Sequence, residues 1–243
     1  MSGAVDVARQ SADIILLEPD LRILEAGVLE GRRTFVNTLK YIYITTSANF
    51  GNMASMAIAG PFLPFLPLLP KQILLNNLLS DVPAMGIASD EVDPEQVEQP
   101  RRWDTRLIQR FMLLFGAISA CFDFLTFFIL LRLDATPGEF RSGWFLESLW
   151  TELLILVVMR TRRPFLRSRP SRTLLLLGVA AAAASLLVVY GPLAPLLGFG
   201  RPSAAVLVSV ALVTVAYLGT SEVAKHLFFA SGLDAAPTRP AGG

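Results

Sequence analysis

From residue 42 onward the chain alternates between long apolar runs and short polar breaks. Six runs approach the roughly 20 apolar residues needed to cross a bilayer as a helix. They fall at about 42–60, 71–88, 109–131, 144–160, 173–191 and 204–222. The segment before them is different. Leu21, Leu24, Val28 and Leu29 form an apolar stripe at helical spacing, with Glu25, Glu30, Arg32 and Arg33 on the wet faces. From Tyr41 the pattern turns apolar all round. Residues 21–60 therefore predict one continuous helix, amphipathic first and membrane-like afterwards, with Asp20 as its N-cap. Ala12 to Leu17 reads as a short buried strand before Glu18-Pro19-Asp20.

Composition agrees with that pattern. Of 243 residues, 53% are hydrophobic and only 17% charged, which suits a polytopic membrane protein rather than a soluble domain. The net charge of +1 provides no basic field for nucleic acid. A single cysteine, Cys121, can form no internal disulfide. The first 40 residues are too polar for a secretory signal. Charge also orients the spans. With six crossings, seventeen Lys and Arg fall on the side of the two termini and four (Lys71, Arg132, Arg141, Arg201) on the other. The positive-inside rule then puts both termini in the cytoplasm, as expected of a plasma (inner) membrane protein.

The candidate chemistry lies in KQILLNNLLSDVPAMGIASDEVD, residues 71–93. An acid inside a membrane-length run is costly and marks a functional-site hypothesis. Asn77 and Asp81 are four apart and share a helix face. Pro83 removes a backbone donor and predicts a kink or unwinding near Leu79. Freed carbonyls at such breaks hold cations in transporters. PFLPFLPLLP (61–70) is a short reversal that makes the first two spans antiparallel neighbours. It brings Asn49 and Asn52, three apart on the first span, to the level of Asn77 and Asp81. The blander reading is that Asn49 and Asn52 only pack helices, and that Asp81 is a structural carboxyl. Asp90, Glu91 and Asp93 read as a solvated charge run. Asp123 reads as a packing anchor, with a second acidic ligand as the alternative. Glu147 can snorkel to the interface, whereas Glu152 lies deeper. The last two spans read as scaffold, and His226 as a surface residue.

Three stretches carry a family likeness. AVDVARQSADIILLEPDLRILEAGVLEGRRTFVNTLKYI resembles the end of the phosphorylation domain and the fifth-helix stalk of P-type cation-transporting ATPases. SANFGNM and NNLLSDVPAMGI resemble their ion-site sequences, and QPRRWD resembles a loop of the bacterial magnesium-translocating group. The resemblance implies an all-α membrane protein whose six transmembrane helices equal helices five to ten of a pump. Residues 1–20 would be a phosphorylation-domain remnant, 21–41 a stalk, 42–225 the transmembrane domain and 226–243 a disordered tail. It implies Asn49, Asn52, Asn77 and Asp81 as cation ligands and, more distantly through Trp150-Thr151-Glu152, Glu152. Asn52 stands where calcium pumps have Glu, which makes this site less acidic. Carboxamides with one or two carboxylates suit Mg2+, an oxygen-seeking ion that often keeps waters. The phosphorylated Asp-Lys-Thr-Gly and the Gly-Asp-Gly-x-Asn-Asp loop are not in this sequence. ATP would act only through domains outside it, supplied for instance by a separately encoded N-terminal half. A membrane-embedded regulatory or binding subunit, an inactive remnant and a passive channel remain alternatives.

Overall fold

The computed structural model describes residues 10–15, 20–98 and 100–230. Six long helices dominate the described residues: α1 (Leu21–Ala59), α2 (Pro70–Met85), α4 (Thr105–Arg132), α5 (Pro137–Met159), α6 (Arg172–Tyr190) and α8 (Ala204–Ala230). Between them lie the short α3 (Pro94–Val97) and the single turn α7 (Ala194–Leu197). Among the described residues there is no strand. Residues 12–15 are irregular, with Ile14 69% exposed, so the described part of the expected 12–17 strand does not form; residues 16 and 17 lie outside the described set.

The helix starts follow capping chemistry. Asp20 accepts from the Arg22 amide at 2.9 Å, and Asp104 accepts from the Arg106 and Leu107 amides at 2.9 and 3.1 Å. Thr136 and Glu139 form a reciprocal capping box at α5. Each satisfies amide groups that a helix start otherwise leaves orphaned.

Four helices are long and apolar enough to cross a membrane: α4, α5, α6 and α8. The remaining two expected spans are helical but differ. α2 has 16 residues. α1 is rich in polar side chains, several of which are masked by the helix itself: Thr45, Thr46 and Ser47 donate to the carbonyls of Tyr41, Ile42 and Tyr43 at 2.8, 2.6 and 2.8 Å. The break expected near Leu79 is absent. α2 runs through Pro83 to Met85, and only then tightens into the 3-10 turn Gly86–Ser89. The proline thus acts on the last turn of the helix, which narrows instead of kinking.

α5 is the central post, buried along most of its length by α4, α8, α2 and α6. α1 crosses α4 at very close range. A Cβ on Gly51 would stand 2.8 Å from the Ser119 Cβ, and one on Gly116 would stand 2.5 Å from the Phe50 ring. Two glycines let these backbones meet, as small residues do wherever membrane helices approach closely.

At one end of the bundle the loops are tied by buried charge. Asp90 accepts from Arg160 at 3.2 Å through both carboxylate oxygens and from the Ser171 amide at 3.0 Å, and Lys40 lies 3.6 Å away. Asn37 donates to the Asp90 carbonyl at 3.0 Å, and Arg32 reaches the carbonyls of Val97 and Glu98. Asp93 accepts from Thr161 at 2.8 Å, Gln96 at 2.9 Å and the Arg162 amide at 3.2 Å. Burial alone would raise the Asp93 carboxyl, but the hydrogen bonds from Thr161, Gln96 and the Arg162 amide hold it below the usual range. Burial pushes the Lys40 ammonium down, against the pull of Asp90 and Asp93. Lys225, fully buried near the end of α8, donates to the carbonyls of Val158 and Arg163 and pairs with Glu222 at 2.7 Å. The solvated reading of Asp90 and Asp93 is therefore wrong: both are buried. Their partners sit about 70 positions away, where local composition gives no hint of them. His226 is exposed as expected, but residues 226–230 continue α8, and residues 231–243 of the expected tail lie outside the described set.

Candidate cation site

Antiparallel packing of α1 and α2 against α5 creates a cavity of about 420 Å³. Asn49 and Asn52 enter it from α1, Asn76 and Asn77 from α2, and Trp144 and Ser148 from α5. The spacing explains the convergence. Asn49 and Asn52 are three apart, and Trp144 and Ser148 four apart, so each pair presents one face. Ser148 joins the three helices: it donates to the Asn52 carbonyl oxygen at 3.0 Å and receives the Asn76 amide at 3.5 Å. The Asn76 carbonyl oxygen is buried without a partner. A cluster of amide and hydroxyl oxygens offers hard, neutral donors, the type that Mg2+ or Ca2+ accepts.

The expected site residues divide into two groups. Asn49, Asn52 and Asn77 line the cavity. Asp81 and Glu152 do not. Asp81 is exposed, one turn farther along α2. Glu152 is buried on α5, one turn beyond Ser148, with Ser80 and Asp81 as its polar neighbours and one carboxyl oxygen, Oε2, without a donor. Among the described residues no three His, Cys, Asp or Glu side chains come close enough to hold a metal together. Asn76 and Ser148 were missed by sequence reasoning. The signal for Ser148 was its position four residues before Glu152; Asn76 stood beside Asn77 but off the Asn77–Asp81 face.

Two further acids, Asp123 and Glu147, also lie outside the cavity lining. Asp123 is fully buried and ties α1 to α5, accepting from Ser55 at 2.6 Å and from the Trp144 ring nitrogen at 2.7 Å. It is thus an anchor, the first of the two expected roles. Glu147 does not snorkel. It is 1% exposed, with Asp123 of α4 and Tyr217 of α8 beside it.

Residues 65–227 match the family model for the C-terminus of cation-transporting ATPases. The chain belongs to this family. Its relatives include the magnesium-transporting P-type ATPase 1 of Escherichia coli strain K12, 44% identical over 200 residues. Two magnesium-transporting P-type ATPases of Salmonella typhimurium strain LT2 are 44% and 39% identical over 200 and 204 residues. These matches cover 80 to 82% of this chain but 22% of each relative, so the chain spans about a fifth of their length. As a cation-transporting ATPase C-terminal region, it is a multi-pass membrane segment of a P-type cation ATPase related to the magnesium-transporting ones.

Proposed function

We propose that this chain forms the ion-conducting membrane half of a magnesium-translocating P-type pump. The observation that supports this is the meeting of Asn49, Asn52 and Asn77 at one cavity in a chain whose relatives are named magnesium transporters. Asn49, Asn52 and Asn77 bind the ion through amide oxygens. Asp81 and Glu152 supply negative charge one turn away and complete the ligand set when a further helix covers the exposed side. The cation is the cargo, and a partly hydrated Mg2+ suits neutral oxygen donors.

In this reading α1 and α2 are the remaining two of six spans. The 16 residues of α2 cover about 24 Å, and the following 3-10 turn adds about 8 Å, together close to a hydrocarbon core of about 30 Å. Both termini face the cytoplasm of an inner-membrane protein. Residues 1–20 belong to the end of a phosphorylation domain, 21–41 to the stalk, and the last residues, including those after α8, to a tail. ATP is used by phosphorylating, nucleotide-binding and actuator domains, on the same polypeptide or in a separately encoded N-terminal half. Growth rescue of a magnesium-transport-deficient bacterial strain tests this reading. Rescue by the chain together with an N-terminal pump half supports it. Failure of that pair, with both expressed, refutes it, and rescue by the chain alone replaces the pump with a channel.

A further inference from the structure

The outward face of α1 is polar where the other membrane helices face outward with apolar side chains. Thr34, Thr38, Tyr41, Thr45, Asn49 and Asn52 recur at intervals of three or four, which makes them one stripe from the stalk to the amide-lined cavity. α6 and α8 show the contrast. Their exposed faces carry Leu176, Val179 and Leu187, and Val208, Leu212 and Val215. Such a stripe would be costly against acyl chains, above all at Asn49, an exposed amide at membrane level.

α1 and α2 touch each other little and leave a cleft between them. Its outer part is the amide-lined cavity. Its inner part is a second cavity of about 180 Å³, lined by Thr34, Asn37, Thr38 and Tyr41 of α1 and by Met85 and Ala88 at the end of α2 and just after it. That volume has room for several waters. Asn49 and Met53 line the outer cavity with Asn77 and Ile73, and Thr38 and Tyr41 line the inner one with Ala88 and Met85. Along antiparallel helices these pairings put Thr45 level with Asp81, between the two cavities. From Tyr41 to Asn49 the rise is about 12 Å.

The polar groups of the cleft are biased toward acceptors. Thr38 donates its hydroxyl to the Thr34 carbonyl at 2.9 Å, and Thr45 donates to the Tyr41 carbonyl at 2.8 Å. Both hydroxyls then have only lone pairs left to offer. Asn37 is 6% exposed; its amide nitrogen donates to the carbonyls of Asp90 and Ala88 at 3.0 and 3.4 Å, and its oxygen is buried without a donor. Asp81 adds an exposed carboxylate. No Lys or Arg lines either cavity. Of the cations on this part of α1, Arg32 and Lys40 turn to carbonyls of the 91–98 segment and Arg33 pairs with Glu30. Lone pairs and one carboxylate repel anions and suit a hydrated divalent cation.

We infer that the α1–α2 cleft is the path by which the cation passes between the amide-lined cavity and the cytoplasmic end of the bundle. Thr45 and Asp81 form its neck, and the pocket at Asn37 is a second, inner binding site for the hydrated divalent ion. The inference rests on reading the amide-lined cavity as the cation site, and adds to it a direction and a second stop.

Thiol accessibility of the full chain in lipid nanodiscs tests the path and requires neither transport nor ATP. Cys121→Ser is the background, which removes the single native cysteine. One cysteine at a time then replaces Thr45 in the neck, Thr38 in the inner cavity or, as a control, Leu113. Leu113 is 53% exposed on α4, and the contact of Gly51 with Ser119 puts it near the depth of Thr45. The probe is a charged methanethiosulfonate. Because it attacks the thiolate, which needs water to form, Thr45→Cys should react about tenfold or more faster than Leu113→Cys. Mg2+ should slow the reaction of Thr45→Cys and Thr38→Cys relative to sodium at equal ionic strength. Equal rates at Thr45 and Leu113 overturn the path. Rates that Mg2+ leaves unchanged overturn its assignment to a divalent cation. Should Thr45→Cys not fold, Asp81→Cys probes the neck from its other wall with the same two readings. Failure of growth rescue leaves this result intact, and a closed neck leaves the pump reading standing with another route to the cavity.

Discussion

Replacement of Asp90 by Ala removes the carboxylate that pairs with two buried cations. The Arg160 side chain is wholly buried and that of Lys40 is 6% exposed. Arg160 has a hydroxyl partner in Ser168 at 3.0 Å, but among the described residues no other acid is paired with it. Breaking a buried pair from one side costs about 3–5 kcal/mol, because the remaining charge stays desolvated. That corresponds to roughly two to three and a half decades in the unfolding equilibrium. Lys40 can relieve its share by losing a proton, and Arg160 cannot, so most of the cost falls on Arg160. The double substitution Asp90→Ala, Arg160→Met should recover about half of the loss or more, since an apolar side chain replaces the stranded charge. Unfolding of the purified chain in mixed micelles, followed by tryptophan fluorescence against rising SDS, measures all three variants. A loss below about 1 kcal/mol for Asp90→Ala, the scale of an exposed pair, refutes the argument. A double mutant no better than the single refutes the role given to Arg160.

Four further outcomes are expected. Gly116→Val drives a branched side chain into Phe50 and the Ser47 carbonyl, costing about 1–3 kcal/mol by the same unfolding assay; Gly178→Val, at a glycine with open space around it, should cost less. Asp81→Asn in an assembled pump abolishes cation-dependent ATP hydrolysis, and unchanged magnesium activation removes Asp81 from the site. Ser148→Ala leaves the Asn52 carbonyl without its donor and should raise the magnesium concentration for half-maximal activity more than it lowers the maximal rate; an unchanged titration separates Ser148 from ion binding. Asp93→Asn loses charge-assisted bonds of about 1.5–3 kcal/mol in all at neutral pH. Because the Asp93 carboxyl is held below its ordinary value, its contribution is complete above the usual Asp value of about 3.9 and fades as pH falls through the lower folded value. The gap between Asp93→Asn and the parent should therefore narrow in acid, and a gap that widens there contradicts the assigned hydrogen bonds.

The helices were legible because apolar periodicity is a local property. The run from Leu21 to Ala59 announces itself by its stripe and then by its uniform apolarity, and Asp20 marks its start. Asn49, Asn52 and Asn77 were legible because amides are conspicuous in apolar surroundings and the short 61–70 connection forces the first two helices together. What failed depended on distant partners. Asp90 looks like part of a solvated acidic run until Arg160, 70 residues later, is placed against it. Glu147 looks like an interfacial acid until α8 is laid over it. Pro83 suggested a break, but whether a helix kinks or tightens depends on what packs against its last turn, and the chain neighbours do not say.

The close crossing at Gly51 and Gly116 bears on how force travels along α1. The helix is held there and again near residues 32–40, where Arg32, Asn37 and Lys40 grip the 86–98 segment. The two holds are about eleven residues apart, near 17 Å along the axis. A rod held at two points resists tilting, and a glycine contact with no room for a Cβ also resists turning, because rotation would carry a larger side chain of α1 against Ser119. Asn49 and Asn52, which flank that contact, are therefore fixed in their angle about the α1 axis as well as in tilt, and keep their amides aimed at the cavity.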